Sequence, residues 1–207
     1  MPIFFEQAIS TDTKLAIWKI EEPEGFFNVP LQRSITHLHK RLQHLAGRYL
    51  LKHLFPEFPL DQILIADTRK PYLKDEAFHF SISHCGDYAA AIVSRGKRVG
   101  VDIEIPTEKV LKIRHKFLHP DELKMFETGP EEEPLRRLTL LWSCKEAIFK
   151  WWSFGGVDFS EMIRIENIDH QNNCIPANFS SGKTSQSLSV QYRLFNDICS
   201  CWVVSEK

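Results

Sequence analysis

Three carboxylates and one lysine in this chain have the types and spacing that metal-assisted phosphate chemistry requires. In residues 98–105, Val99, Val101, Ile103 and Ile105 alternate with Gly100, Asp102 and Glu104. A strand therefore projects both carboxylates from one face, roughly 6.5 to 7 Å apart. Two carboxylates at that spacing repel and want a cation. A hard divalent ion, most simply Mg²⁺, suits oxygen ligands and keeps positions open for water and substrate phosphate. Gly100 is read as leaving the space beside the pair empty. Taken alone, the pair equally fits the exposed face of an antiparallel strand.

The second cluster lies in residues 138–152, Leu-Thr-Leu-Leu-Trp-Ser-Cys-Lys-Glu-Ala-Ile-Phe-Lys-Trp-Trp. Leu138, Leu141, Ile148 and Trp152 recur as the stripe of a buried helix face. Trp142, Glu146 and Lys150 follow at four-residue steps, so their side chains stack along one line. Charges on so apolar a helix are costly to bury without partners, which points them at a wet cleft. The plainer alternative is an i,i+4 pair on a half-exposed helix. Asp102, Glu104 and Glu146, with His84, Lys145 and Lys150 placed in the same cleft, favour a site.

Basic groups lie upstream. Ile35, Leu38, Leu42, Leu45 and Tyr49 advance by three and four and predict a helix within residues 31–55. Its opposite side carries His37, Arg41, His44, Arg48 and Lys52, either a solvated face or a wall of phosphate-binding side chains. Lys70 precedes Pro71 and is biased toward extended backbone, from which a loop lysine reaches an anion. Phe78, Phe80 and Ile82 alternate with His79, Ser81 and Ser83, a half-buried strand that brings Ser83 and His84 to its end.

These elements imply an α+β fold. Leu15 to Trp18 is the likeliest early strand, residues 21–30 a loop, and residues 88–94 and 98–105 two strands joined by a tight turn at Arg95, Gly96 and Lys97. Pro134 is placed to start the long helix and Gly155 and Gly156 to end it. Runs at 162–168, 174–179, 187–195 and 198–204 read as strands. A long helix followed by strands thus occurs twice, so the chain is read as a pseudo-twofold duplication. Residues 1–105 form one half and 106–207 the other, each a long helix on a small mainly antiparallel sheet, with the site between them.

Composition narrows the classes. A chain of 207 residues with 43% hydrophobic and 26% charged residues and net charge −1 is neither disordered nor built for a polyanionic duplex. Five cysteines, odd in number and without a C-x-x-C pair, read as reduced thiols of a cytoplasmic protein. The N-terminus lacks signal-peptide character, and no run approaches the ~20 apolar residues of a membrane span.

Three motifs carry a resemblance to a known family. Phe80-Ser81-Ile82-Ser83-His84, Val99-Gly100-Val101-Asp102-Ile103-Glu104 and, most specifically, Trp142-Ser143-Cys144-Lys145-Glu146-Ala147-Ile148-Phe149-Lys150 together resemble the 4′-phosphopantetheinyl transferases, in particular the monomeric surfactin-synthetase (Sfp) type. Arg69-Lys70-Pro71-Tyr72 is similar to a loop that contacts coenzyme A, and Gly47-Arg48 lies where the family's first long helix carries an arginine. The likeness implies Mg²⁺ on Asp102, Glu104 and Glu146, and coenzyme A held by Arg48, Lys70, Ser83, His84 and Lys150, with Lys145 in the same set. It implies transfer of the phosphopantetheine arm to a serine of an apo acyl or peptidyl carrier protein from fatty acid, polyketide or nonribosomal peptide synthesis. Lys150 and His84 would offset charge on the departing adenosine 3′,5′-bisphosphate, and Glu146 would serve as general base, directly or through water.

The segment from Phe117 to Phe126, rich in apolar residues, is read either as the surface that receives the carrier or as core. The family usually has Asn where Ser81 stands and Ser where Cys85 stands, departures expected to alter local loop geometry. Two rivals remain: a relative that binds coenzyme A and carrier without turnover, and a metal-dependent nuclease, which a net charge of −1 disfavours.

Overall fold

The computed structural model describes residues 3–31, 34–128 and 134–206, with backbone alone at 126–128. The chain opens with a hairpin, β1 (Ile3–Ser10) and β2 (Thr13–Lys19), turning at Thr11 and Asp12. Helix α1 (Leu38–Leu54) follows, with His37 as its N-cap accepting from the Lys40 amide. A two-residue pair, β3 (Leu64–Ile65) and β4 (Pro71–Tyr72), precedes the hairpin of β5 (His79–Cys85) and β6 (Tyr88–Ser94). These strands form an antiparallel sheet in the order β1-β2-β6-β5. Helix α1 buries Ala46, Leu50, Leu51 and Leu54 against Ala16, Trp18, Ala91 and Val93 on one face of that sheet. A Cβ on Gly47 would lie 2.6 Å from Ile82 Cγ2, so glycine lets the helix settle onto β5.

Strand β7 (Arg98–Glu104) departs from the sequence expectation. It does not return alongside β6 but begins a second antiparallel sheet, β7-β11-β10-β9-β8, with β8 at Ile163–Ile165, β9 at Cys174–Ser181, β10 at Thr184–Leu194 and β11 at Cys199–Ser205. The Arg95-Gly96-Lys97 turn is a corner between sheets, held by Ser94 Oγ, which accepts the amides of Gly96 and Lys97. The reason lies in the apolar face of β7. Val99, Val101 and Ile103 pack with Leu15, Ile17, Ala90, Ile92 and Trp202 into a core shared by the two sheets, and this burial outweighs the local convenience of a hairpin. By sheet membership residues 98–104 therefore belong with the C-terminal half.

The second sheet's other face is covered by α4 (Pro134–Trp152), after the shorter α2 (Glu108–Phe117) and α3 (Pro120–Thr128). Leu138, Leu141, Cys144, Ala147, Ile148 and Trp151 of α4 are buried against Cys201, Val203 and the strands beyond, each large side chain contributing about 1.5–3 kcal/mol. The helix starts at Pro134, whose missing N–H costs nothing there. It stops where Ser153, Gly155 and Gly156 take positive φ. Each half is thus a long helix on an antiparallel sheet, and no helix among the described residues is long and apolar enough to cross a membrane.

Candidate active site

Helix α4 comes down onto β7 at one point. A Cβ on Gly100 would stand 2.1 Å from the carbonyl oxygen of Ala147 and 2.7 Å from the amide nitrogen of Trp151. The space beside the acid pair is therefore filled by helix backbone, not empty as the sequence reading held. That contact brings Glu146 and Lys150 over the carboxylate face of β7. Lys150 Nζ donates to Asp102 Oδ1 at 2.7 Å and to Ser83 Oγ at 2.8 Å, and Ser83 in turn donates to the same Asp102 oxygen at 2.8 Å. Three elements, β5, β7 and α4, thus meet in one triangle of charge-assisted bonds.

The other carboxylates surround it. Glu104 Oε1 accepts from the indole of Trp142 at 3.0 Å, and Glu104 Oε2 faces Cys85 Sγ at 3.5 Å. Burial, then the charge of Asp102, raises the Glu104 carboxyl above the usual carboxylate range. The same two causes push Glu146 up to about 7. Asp102 is 3% exposed, and its Oδ2 is buried with no protein partner. Among the described residues no three such groups already form a coordination cage. The donor set nonetheless fits a hard divalent cation: oxygen ligands only, mutual repulsion that a cation would relieve, and an acceptor atom left open.

On the far side of Lys150 the polar groups suit a phosphorylated ligand. Lys70 Nζ donates to the Lys150 carbonyl and to Ser153 Oγ, the polar end of α4. Burial, then the charges of Arg98 and Lys150, lower its ammonium to about 8. It borders a cavity of about 210 Å³ shared with Thr68, Arg69, Ser81, Phe149 and Lys150. His84 leaves β5 on the opposite side from Ser83 and meets His44 of α1 edge to face at 5.2 Å. Desolvation there, then Lys150, lowers the His84 imidazole, which favours the neutral ring. Arg48, 8% exposed, lies one turn beyond His44 on α1.

Lys145 is elsewhere. Its side chain is fully buried and donates to Glu122 Oε2 at 2.6 Å, to the Phe159 carbonyl at 2.9 Å and to the Ile163 carbonyl at 2.8 Å. This corrects its assignment to the ligand set: its three donors tie α4 to α3 and β8. The basic stripe of α1 does not converge on the site as a whole, since Arg41 pairs with Glu24 at 2.7 Å and Lys52 is exposed. In the apolar segment two residues take the core alternative. Phe117 and Leu118 are core, Phe117 standing edge to face with Trp142 at 5.0 Å, and Phe126 lies outside the described side chains.

Sequence reasoning missed Ser153 as a partner of Lys70 and Trp142 as a partner of Glu104. The second was signalled by the four-residue line Trp142, Glu146, Lys150; the first had no local signal. Ser81 and Cys85, the two departures from the family pattern, sit within β5 and not in a loop.

Known proteins resemble the chain over much of its length. The 4′-phosphopantetheinyl transferase superfamily matches residues 98–200, from the start of β7 into β11. Enterobactin synthase component D of Salmonella austin is 36% identical over 115 residues, 55% of this chain and 48% of that protein. The 4′-phosphopantetheinyl transferase psf-1 of Bacillus pumilus is 30% identical over 159 residues, 72% of this chain and 68% of that protein. A putative 4′-phosphopantetheinyl transferase of Haemophilus influenzae is 28% identical over 157 residues, 72% of this chain and 63% of its own. The match spans about half the length of the enterobactin synthase proteins.

Proposed function

The chain belongs to the 4′-phosphopantetheinyl transferase superfamily, and from that premise we propose that it moves the phosphopantetheine arm of coenzyme A onto a serine hydroxyl of an apo carrier protein. The observation that carries this reading is the Lys150–Asp102–Ser83 triangle, beside which Glu104 and Glu146 feel the charge of Asp102. Asp102, Glu104 and Glu146 would hold the divalent cation. When bound, a cation such as Mg²⁺ offsets the negative charge of the coenzyme A pyrophosphate and of the transition state.

The chain's own groups account for the rest. Lys70, Lys150, Ser83, His84 and Arg48 receive the phosphates, with Lys70 Nζ held at the end of α4 by the Lys150 backbone carbonyl. The acceptor serine oxygen attacks the phosphorus that bears the pantetheine arm; its bond to the bridging oxygen breaks, and adenosine 3′,5′-bisphosphate departs. Lys150 and His84 face the charge that collects on that leaving group. Glu146 takes the serine proton, directly or through a water. Transfer proceeds in the cytoplasm by a monomer, without nucleic acid or membrane.

Incubating the protein with coenzyme A, Mg²⁺ and a panel of apo carrier proteins, followed by intact-mass measurement, tests this directly. Peptidyl carriers come first in the panel because a relative is named for enterobactin synthase. Acceptors gain a phosphopantetheine, and Glu146→Ala abolishes the gain. Undiminished transfer by Glu146→Ala removes that residue from the mechanism, and coenzyme A binding without transfer to any carrier leaves a binding protein only.

A further inference from the structure

Strand β7 is the edge of its sheet. β11 pairs with only one side of it, so alternate amides on the other side need partners from elsewhere. Those partners are side chains of β5. The Val101 amide donates to Ser81 Oγ at 3.2 Å, the Ile103 amide to Ser83 Oγ at 3.3 Å and the Ile105 amide to Cys85 Sγ at 3.4 Å. On β5 the intervening residues Phe80, Ile82 and His84 face α1, so its two-residue period divides cleanly between helix and strand.

The three rungs bracket the carboxylates. Asp102 lies between the amides of Val101 and Ile103, and Glu104 between those of Ile103 and Ile105. Fixing these amides fixes the direction of both acidic side chains, whereas a slip of one residue would turn them to the opposite face. Ser81 is 2% exposed, and its hydroxyl oxygen accepts the Val101 amide of β7. Cys85 adds the contact to Glu104 itself.

We propose that Ser81 and Cys85 are positioning residues whose rungs to Val101 and Ile105 set the register of β7 on β5 and thereby aim Asp102 and Glu104. This rests on reading Asp102, Glu104 and Glu146 as a cation site. Ser81 and Cys85, the two departures from the family pattern, are themselves the acceptors in two of the three rungs.

The test uses the full chain with Mn²⁺ alone as probe, reading affinity by calorimetry and amide exchange by NMR. Ser81→Ala speeds exchange of the Val101 amide by about tenfold, equivalent to about 1.4 kcal/mol, and weakens Mn²⁺ several-fold. Ser81→Thr keeps Oγ, has the adjoining cavity for its methyl group, and restores both. Cys85→Ala does the same to Ile105 and carries the test should Ser81→Ala not fold. Mn²⁺ affinity within twofold of the unsubstituted protein in the folded variants overturns the positioning role. No Mn²⁺ binding by the unsubstituted chain overturns the cation site instead.

Discussion

Gly100 lies directly against the Ala147 carbonyl where the acid-bearing strand meets the helix that carries Glu146 and Lys150, with 2.1 Å between a hypothetical Cβ on the glycine and that oxygen. Backbone cannot yield as a flexible side chain can. Gly100→Ala therefore lifts α4 from β7, costing about 1–3 kcal/mol in urea unfolding. Transfer falls more steeply than stability, because the Lys150–Asp102 bond of 2.7 Å is lost with the lift. A variant that keeps full activity would show that this contact does not set the site.

Lys145 makes a contrasting case. It is buried with Glu122, which also accepts the amides of His119 and Ile165. Lys145→Met strands a buried carboxylate and costs about 3–5 kcal/mol, while the fraction that folds still binds coenzyme A with unchanged affinity. Adding Glu122→Gln removes the stranded charge and recovers part of the loss. Urea unfolding of the single and double variants, with coenzyme A calorimetry, measures both statements.

How far the sequence carried these features depends on which were local. The alternation of Val99 to Glu104 and the three- and four-residue steps of α4 are properties of short segments, so both elements and the triad of acids were legible. The partner of β7 was not, because sheet choice is decided by core residues as distant as Leu15, Ile17 and Trp202. Lys145 was misplaced although the clue was present: neighbours on a helix differ by about 100°, so Lys145 and Glu146 cannot share a face. The strand Ile3–Ser10 was blurred because its inward face is only half-buried, with Ile3, Phe5, Gln7 and Ile9 showing no clean apolar period.

Glu104 illustrates a stability cost held in the proposed cation site. Burial and Asp102 raise its folded pKa, so its charge costs stability above that value, and the cost shrinks as pH falls below it and is gone below the unfolded value. Glu104→Gln keeps an oxygen for Trp142 Nε1 and sheds the charge. Without added metal it melts higher by roughly 2–4 °C, corresponding to about 1 kcal/mol at this chain length. Mg²⁺ then raises the melting temperature of the unsubstituted protein but not of this variant. A lower metal-free melting temperature would show that the Trp142 bond outweighs the repulsion.

If Lys70 receives a phosphate as proposed, it sets the pH dependence of coenzyme A binding. Its ammonium is held at about 8 in the free protein by burial and by Arg98 and Lys150, and a phosphate beside it favours the charged form. Binding therefore takes up a proton above pH 8, so affinity is greatest below pH 8 and is lost as pH rises through that value. Between pH 7.5 and 9.5 the dissociation constant increases on the order of tenfold, well above the range in which a phosphate monoester (second pKa about 6) titrates. Calorimetry in buffers of different ionisation enthalpy reads the proton directly. Lys70→Arg, charged throughout this range, flattens the dependence; an unaltered slope in that variant would assign the proton to another group.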